Sequence, residues 1–407
     1  MTPLKGDPSA LRAHNRRVIL NHLRRLGPIS RTQLVELTGL SSASITSITA
    51  DLIQERLLTE RSIGEAGISG GRRPIYLDID YTAHYAIGFK LREHRIEAVL
   101  TDLSTQILAH HTDTLDSHDP HHVTSHIHRV CKTLYRRARI NPEGVIGIGI
   151  GLVGVIDALK GTVVNAPLLG WRDVPLSQLV QRRTGLPTHI DNDVNSLAAA
   201  ERLFGHGKHT NHFLTIALGR GLGSALVLNG DLHRGRQGGA GEFGHNIITP
   251  NGRRCSCGRH GCLEAYTAEP ALLAQLHERH PDLTERITTI DALVTLADQG
   301  HASATDVLST AGRLLGTHLS YLVNTLNPEL IIIAGEGTRL GPHYFEPLRD
   351  AIHTNAFDGL AHDLPLIIDT WPNDDFTLWA RGAASLAVQC AFDFGTLLKG
   401  TNLTHPS

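Results

Sequence analysis

Cysteine is scarce: five in 407 residues. That is no disulfide framework, and a reducing cytoplasm is the expected home. Long apolar runs are absent too. None approaches the roughly 20 residues that a membrane-spanning helix needs, so no membrane partner is expected. The N-terminus lacks the basic-then-apolar pattern of a secretory leader. Neither sign of charge dominates: 38 Lys and Arg face 40 Asp and Glu, a formal net charge of −2. No overall field therefore draws the chain to nucleic acid or membrane. The 41% apolar content is that of a globular protein, and the length suggests two or three domains.

What is present is concentrated. Three of the five cysteines, Cys255, Cys257 and Cys262, fall within eight residues, and His245 lies ten before the first. One imidazole and three thiolates match the tetrahedral demand of a structural zinc ion. Four protein ligands leave no open position for water, so such a zinc shapes the fold and does no chemistry. Gly258 and Gly261 let the loop turn tightly enough for the sulfurs to face one point. Cys131 and Cys390 remain as expected buried thiols. Histidine is frequent, at 26, with a cluster at His110, His111, His118, His121, His122, His126 and His128. No cysteine or fixed ligand spacing accompanies that cluster, and it reads as a polar helix surface.

Charge is uneven along the chain. Through Leu77, eleven Lys and Arg stand against six Asp and Glu, leaving about +5 on a small module. Val18, Ile19, Leu20, Leu23 and Leu26 suit an amphipathic helix ended by Gly27-Pro28. Ser30 is a good N-cap for a second helix carrying Leu34, Val35 and Leu37 up to Gly39. Ser41 and Ser42 open a third, with Ile45, Ile48, Leu52 and Ile53 inward. Its other face offers Ser42, Ala43, Thr46 and Ser47, small enough for close approach to base edges in a major groove. A hairpin follows, with Gly70-Gly71-Arg72-Arg73 at its tip. Arg72 and Arg73 suit a minor groove. The expectation is a winged helix-turn-helix that binds double-stranded operator DNA; a helical appendage that binds protein is the other reading.

Beyond it, apolar strands alternate with helices. Examples are residues 85–89, 95–100, 145–150, 213–218 and 330–334, which imply sheets covered by helices. Asp191-Asn192-Asp193 follows a strand and opens the helical run from Ser196 to Glu201. A carboxylate there sits near helix N–H groups and can accept a hydroxyl. Glu242 and His245, three apart, can face one cavity.

Residues 82–395 resemble the ROK family of repressors, open reading frames and kinases, most specifically from Glu242 through Glu264. Residues 1–80 resemble the winged helix-turn-helix of bacterial sugar-responsive repressors. The resemblance implies an α/β, two-lobed actin-like fold behind the DNA-binding head. Lobe I is expected over 82–205 with a helix at 378–395 returning to it. Lobe II is expected over 206–377 with the zinc loop at 245–262. It also implies sugar contacts at Asn165, Asn192, Asp193, Glu242, His245 and Glu264, with Trp171 in the covering loop or in the core. In the family's kinases the position of Asp193 is the catalytic base.

Those kinases carry an Asp-x-Gly-Gly-Thr turn that cradles ATP phosphates. Here the turn falls on Lys90-Leu91-Arg92-Glu93-His94, with Lys90 at the aspartate and Arg92 and Glu93 at the glycines. The second loop, Gly219-Arg220-Gly221-Leu222-Gly223, is better kept, and Gly335-Glu336-Gly337 would face adenine. The expectation is a cytoplasmic, sugar-responsive repressor without kinase activity, released by a monosaccharide or sugar phosphate and acting as a homodimer or homotetramer. The alternative is an ATP-dependent hexose or N-acetylhexosamine kinase with an appended DNA-binding domain.

Overall fold

Helix signals in the first 60 residues are met one by one in the computed structural model, which describes residues 8–62, 75–371 and 377–392. Helix α1 (Pro8–Leu26) stops at Gly27. Strand β1 (Ile29–Ser30) leads into α2 (Arg31–Thr38), where Ser30 and Gln33 form a reciprocal capping box and Gly39 closes the helix. Ser41 caps α3 (Ser42–Gln54) by accepting from the Ser44 N–H. Ile45, Ile48 and Leu52 turn inward; Leu26 and Leu37, expected inward, are exposed. Strands β2 (Leu58–Ser62) and β3 (Ile75–Ile79) pair antiparallel, and β1 lies on the other edge of β3. The strands of a wing are therefore in place; the expected tip with Arg72 and Arg73 lies outside the described residues.

The chain up to His209, and again from Thr377, belongs to one compact unit; Thr210–Phe376 forms the other. In the first, β4 (Tyr85–Leu91), β5 (Arg95–Asp102) and β6 (Ile107–Thr114) are followed by α4 (Pro120–Ala138) and β7 (Val145–Leu152). A small sheet of β8 (Val155–Asp157), β9 (Thr162–Ala166) and β10 (Trp171–Val174) intervenes before α5 (Leu176–Thr184), β11 (Thr188–Asn192) and α6 (Asp193–Phe204). The main sheet runs β11-β7-β4-β5-β6.

In the second unit, β12 (Phe213–Leu218), β13 (Leu222–Leu228) and β14 (Asp231–His233) precede α7 (Glu264–Thr267), α8 (Glu269–Arg279), α9 (Ile290–Asp298) and α10 (Ala302–Leu326). Strand β15 (Leu330–Ala334), α11 (Pro342–Asn355) and β16 (Leu366–Ile368) complete a sheet ordered β14-β13-β12-β15-β16. Its core packs Leu214, Ile216, Ile331 and Ile333 against Leu272, Leu293, Leu308, Leu315 and Leu348. The last helix, α12 (Thr377–Ala391), belongs to the first unit.

The period-2 alternation of β4 decides what meets what. Ile87, Phe89 and Leu91 share a core with Val123, Ile127, Val130 and Leu134 of α4 and with Val180 of α5. Ala86, Gly88 and Lys90 take the other face, that of α12. A Cβ on the neighbouring Gly149 would lie 1.8 Å from the Ala383 carbonyl oxygen, so only glycine lets α12 press onto the sheet. On this face Ile19, Leu20, Leu23 and Leu77 of the head share one core with Ala86, Val99, Leu203, Ala384 and Phe392. The head and the first lobe, read from sequence as separate domains, thus share a continuous apolar cluster.

One thiol and the histidine run need correction. Cys131 is buried, but Cys390 is only partly so, its Sγ 3.3 Å from Nε2 of His189. The histidine run is not one polar helix surface. His110 and His111 lie on β6, and His126 is buried on α4, its Nε2 2.9 Å from Asp113 Oδ2.

His189 gives a pH prediction. Burial pulls its pKa down to about 4. The unfolded chain takes up the proton near 6.5 and the folded chain does not, so stability is full above 6.5 and falls between 6.5 and about 4. Between pH 7 and pH 5 the loss is about 2 kcal/mol. Urea denaturation of wild type and His189→Gln at both values checks it: the wild type should lose that much more than the variant.

Candidate functional site

Two groups of side chains carry the sequence expectations, one in each unit. In the first, Asn192 caps α6: its Oδ1 accepts from the Val194 N–H at 2.9 Å and its Nδ2 donates to the Gly154 carbonyl at 3.1 Å. Beside it, fully buried Asp191 accepts from the Asn195 side chain at 2.8 Å. Asp193, in the first turn of α6, is 9% exposed. Asn165 lies on β9, partly buried. Trp171 is core: it is buried and its Nε1–H donates to the His118 carbonyl at 2.6 Å.

Sequence reasoning missed what Asp193 touches. Lys90, 2% exposed, sends its ammonium directly onto the Asp193 carboxylate. The same ammonium lies 4.9 Å from the centroid of the Trp379 ring on α12. Ammonium and carboxylate neutralise each other, and the indole face covers the cation. The signal was available: alternation along β4 aims position 90 at the α12 face. The turn after it is a tight hairpin, the Arg92 N–H donating to the Arg95 carbonyl at 2.9 Å. Arg92 and Arg95 both approach buried Glu97 at 3.3 Å. Burial raises the Glu97 pKa and these cations oppose the rise.

In the second unit the expected ligands converge. Cys255 Sγ is 3.6 Å from His245 Nδ1, and Cys257 Sγ is 3.7 Å from Cys262 Sγ. All four ligand atoms lie within 4.8 Å of one another. A tetrahedral zinc with bonds of about 2.3 Å to sulfur and 2.0 Å to nitrogen requires edges of roughly 3.8 and 3.6 Å. The donor set and its spacing therefore fit zinc, and no other such group occurs among the described residues. The loop owes its shape to its backbone. The Cys255 N–H bonds the Arg259 carbonyl at 2.8 Å, and a Cβ at Gly261 would lie 1.8 Å from the Thr249 carbonyl oxygen.

His245 keeps its other nitrogen for Glu242, whose Oε2 lies 3.9 Å from Nε2. Glu264 is held harder. It accepts from Ser256 Oγ at 2.7 Å and from the Leu222 N–H at 3.0 Å, and Cys255 Sγ lies 3.4 Å away. One carboxylate thus joins the cysteine loop to the glycine hairpin Gly219–Gly221, where the Gly219 N–H bonds the Gly221 carbonyl at 3.1 Å.

On the head, Ser42, Ala43, Thr46 and Ser47 are exposed along one face of α3. Thr46 Oγ1 donates to the Ser42 carbonyl at 2.8 Å, and Ser47 accepts from Arg12 at 3.2 Å. The positive charge is less free than its count implied. Arg12, Arg16, Arg31 and Arg61 pair with Asp51, Glu55, Glu60 and Asp78, and Arg24 is buried. A hollow of about 700 Å³ lies elsewhere, between β6 and α4, lined by His111, Asp113, His126, Arg129, Lys132 and Arg136.

The profile described as the ROK family matches residues 86–389. The chain belongs to the ROK family. A xylose repressor of Bacillus spizizenii is 31% identical over 362 residues, 89% of this chain and 92% of that protein. The crystal structure of a ROK family transcriptional regulator, a homolog of the Escherichia coli MLC protein, superposes with a TM-score of 0.82 at 27% identity, covering 94% of this chain and 97% of that one. A ROK family glucokinase from Streptomyces griseus, in complex with glucose and AMPPNP, gives 0.62 at 28% identity, covering 75% of this chain and 99% of its own. The xylose repressor and the ROK transcriptional regulator thus match about nine-tenths of this chain, whereas the glucokinase leaves a quarter of it unmatched. Among the described residues no helix is long and apolar enough to cross a membrane.

Proposed function

We infer that this chain is a sugar-responsive transcriptional repressor of carbohydrate-utilisation genes, without kinase activity. The observation that carries the reading is the pairing of Lys90 with Asp193. In the resembling kinases that position must take a proton from a sugar hydroxyl. A carboxylate already bonded to a buried ammonium is a poor general base, yet it still accepts a hydroxyl hydrogen bond. Arg92 and Glu93 put side chains where phosphate needs bare backbone. The relatives' spans support the same reading, since a xylose repressor and a ROK transcriptional regulator match 89% and 94% of this chain.

Asn165, Asn192, Asp193, Glu242, His245 and Glu264 are the proposed sugar contacts. His245, Cys255, Cys257 and Cys262 hold the proposed zinc, a closed structural site that fixes His245 and Glu264 before the sugar arrives. The pre-fixed contacts reduce the entropic penalty of binding. Ser42, Ala43, Thr46 and Ser47 are the proposed base-reading face, with Arg72 and Arg73 in the wing. A homodimer or dimer of dimers presents two heads to a two-fold operator, and sugar binding changes their spacing.

The test has two arms. Thermal shift with D-xylose, D-glucose, N-acetylglucosamine and their phosphates should single out an effector, which stabilises by about 2.7 kcal/mol at a hundredfold excess over Kd. That compound should lower affinity for a DNA fragment from upstream of the gene. Incubation with ATP, magnesium and the same sugars should yield no phosphorylated product. Turnover abolished by Asp193→Asn would make the chain a kinase instead.

A further inference from the structure

The ends of α6 touch different things. Its first turn carries Asn192 and Asp193. Its last turn is gripped by the head: Arg24 of α1, 1% exposed, donates to the Arg202 carbonyl at 3.1 Å and to the Leu203 carbonyl. These carbonyls belong to the end of the helix where partial negative charge collects and intrahelical partners run out. The guanidinium supplies both donors and counter-charge. Burial lowers the Arg24 pKa to about 9, which leaves it charged at neutral pH.

Between its ends α6 is a rod. Twelve residues rise about 18 Å, and every residue from Asp193 to Leu203 is buried. Close-packed elements of this kind move as bodies instead of bending. At the same end Phe204 sits edge-on to Tyr81 and to Phe392, 5.8 and 6.0 Å between centroids. Arg202 reaches Gln389 of α12 at 2.8 Å. A rigid displacement of the Asp193 turn would reach the carbonyls that Arg24 of α1 holds.

We propose that α6 conveys occupancy of the Asp193 site to the DNA-reading head through the hold of Arg24 on its last carbonyls. Arg24 is thus a positioning residue for DNA binding that acts through α6. The proposal rests on the sugar-responsive reading above. It adds to that reading the element that moves and the residue that reads the motion. On the sequence, Arg24 falls four residues after Leu20, on the buried stripe of α1, where an arginine is out of place unless something receives it.

The experiment measures affinity for the upstream DNA fragment with and without saturating D-xylose, D-glucose or N-acetylglucosamine, in wild type, Arg24→Gln and Arg24→Lys. Couplings of this kind are typically 5- to 150-fold. Arg24→Gln should bring the ratio to within about twofold of unity while leaving sugar affinity within about threefold of wild type. Arg24→Lys, still a cation with donors, should retain part of the ratio. A merely structural Arg24 would weaken DNA binding equally in both states and leave the ratio as it was, which overturns the proposal. A wild type whose DNA affinity responds to no sugar overturns this proposal and the repressor reading together, so the two failures are distinct. Should Arg24→Gln be insoluble, hydrogen exchange on the wild type decides. Sugar must alter protection in residues 17–27 as well as 193–204; a change confined to the first turn of α6 overturns the proposal.

Discussion

Stripping the metal with a chelator, or replacing Cys257 by Ser, is expected to unfold the segment from Glu242 to Glu264 and to abolish high-affinity sugar binding. Structural zinc in small metal-folded peptides contributes roughly 10–16 kcal/mol of apparent binding free energy at neutral pH. Besides the metal, backbone bonds such as Ile248 N–H to the Gly261 carbonyl and the pairing of Arg253 with Glu278 hold the loop. Its two isolated bridges are Ile247 with Cys262 and Arg254 with His260. Glu264 depends on it directly, since its donor Ser256 lies within the loop. Metal analysis, calorimetry and sugar titration on the same samples check the expectation. A metal-free protein with unchanged melting and unchanged sugar affinity would remove zinc from the account.

Lys90→Met is expected to cost about 3–5 kcal/mol, because it leaves the Asp193 carboxylate charged, nearly buried and unpaired. The sign of the coupling matters more than the size. Asp193→Asn in the Lys90→Met background should recover most of the loss, since a neutral pair in the same space carries no desolvated charge. Urea denaturation of the two single variants and the double variant gives the cycle. Simple additivity would mean that the two groups meet through water and do not neutralise each other, and the argument against a working general base would go with it.

Much of this was legible in advance because the deciding signals are local. Ser30, Ser41 and Gly39 punctuate the head through capping chemistry that acts within four residues. The candidate metal group of His245, Cys255, Cys257 and Cys262 could be named because three thiols within eight residues leave few other uses. Lys90 was read as a lost phosphate turn, not as a partner for Asp193. That contact spans 103 residues and forms only when β4 and α6 are laid side by side. The histidine run misled for the same reason: a strand and a helix that are neighbours in sequence bury some of its members and expose others. The charge count of the head overstated its free cations, because pairs such as Arg16 with Glu55 form between helices and no composition reveals them.

The shared apolar cluster of Ile19, Leu20 and Leu23 with Ala384 and Phe392 has a practical corollary for protein engineering. A fragment ending near residue 80 would carry half an interface into water and aggregate. Chimeras that graft this head onto another protein would have to transplant the matching surfaces of the last helix and of α6 along with it.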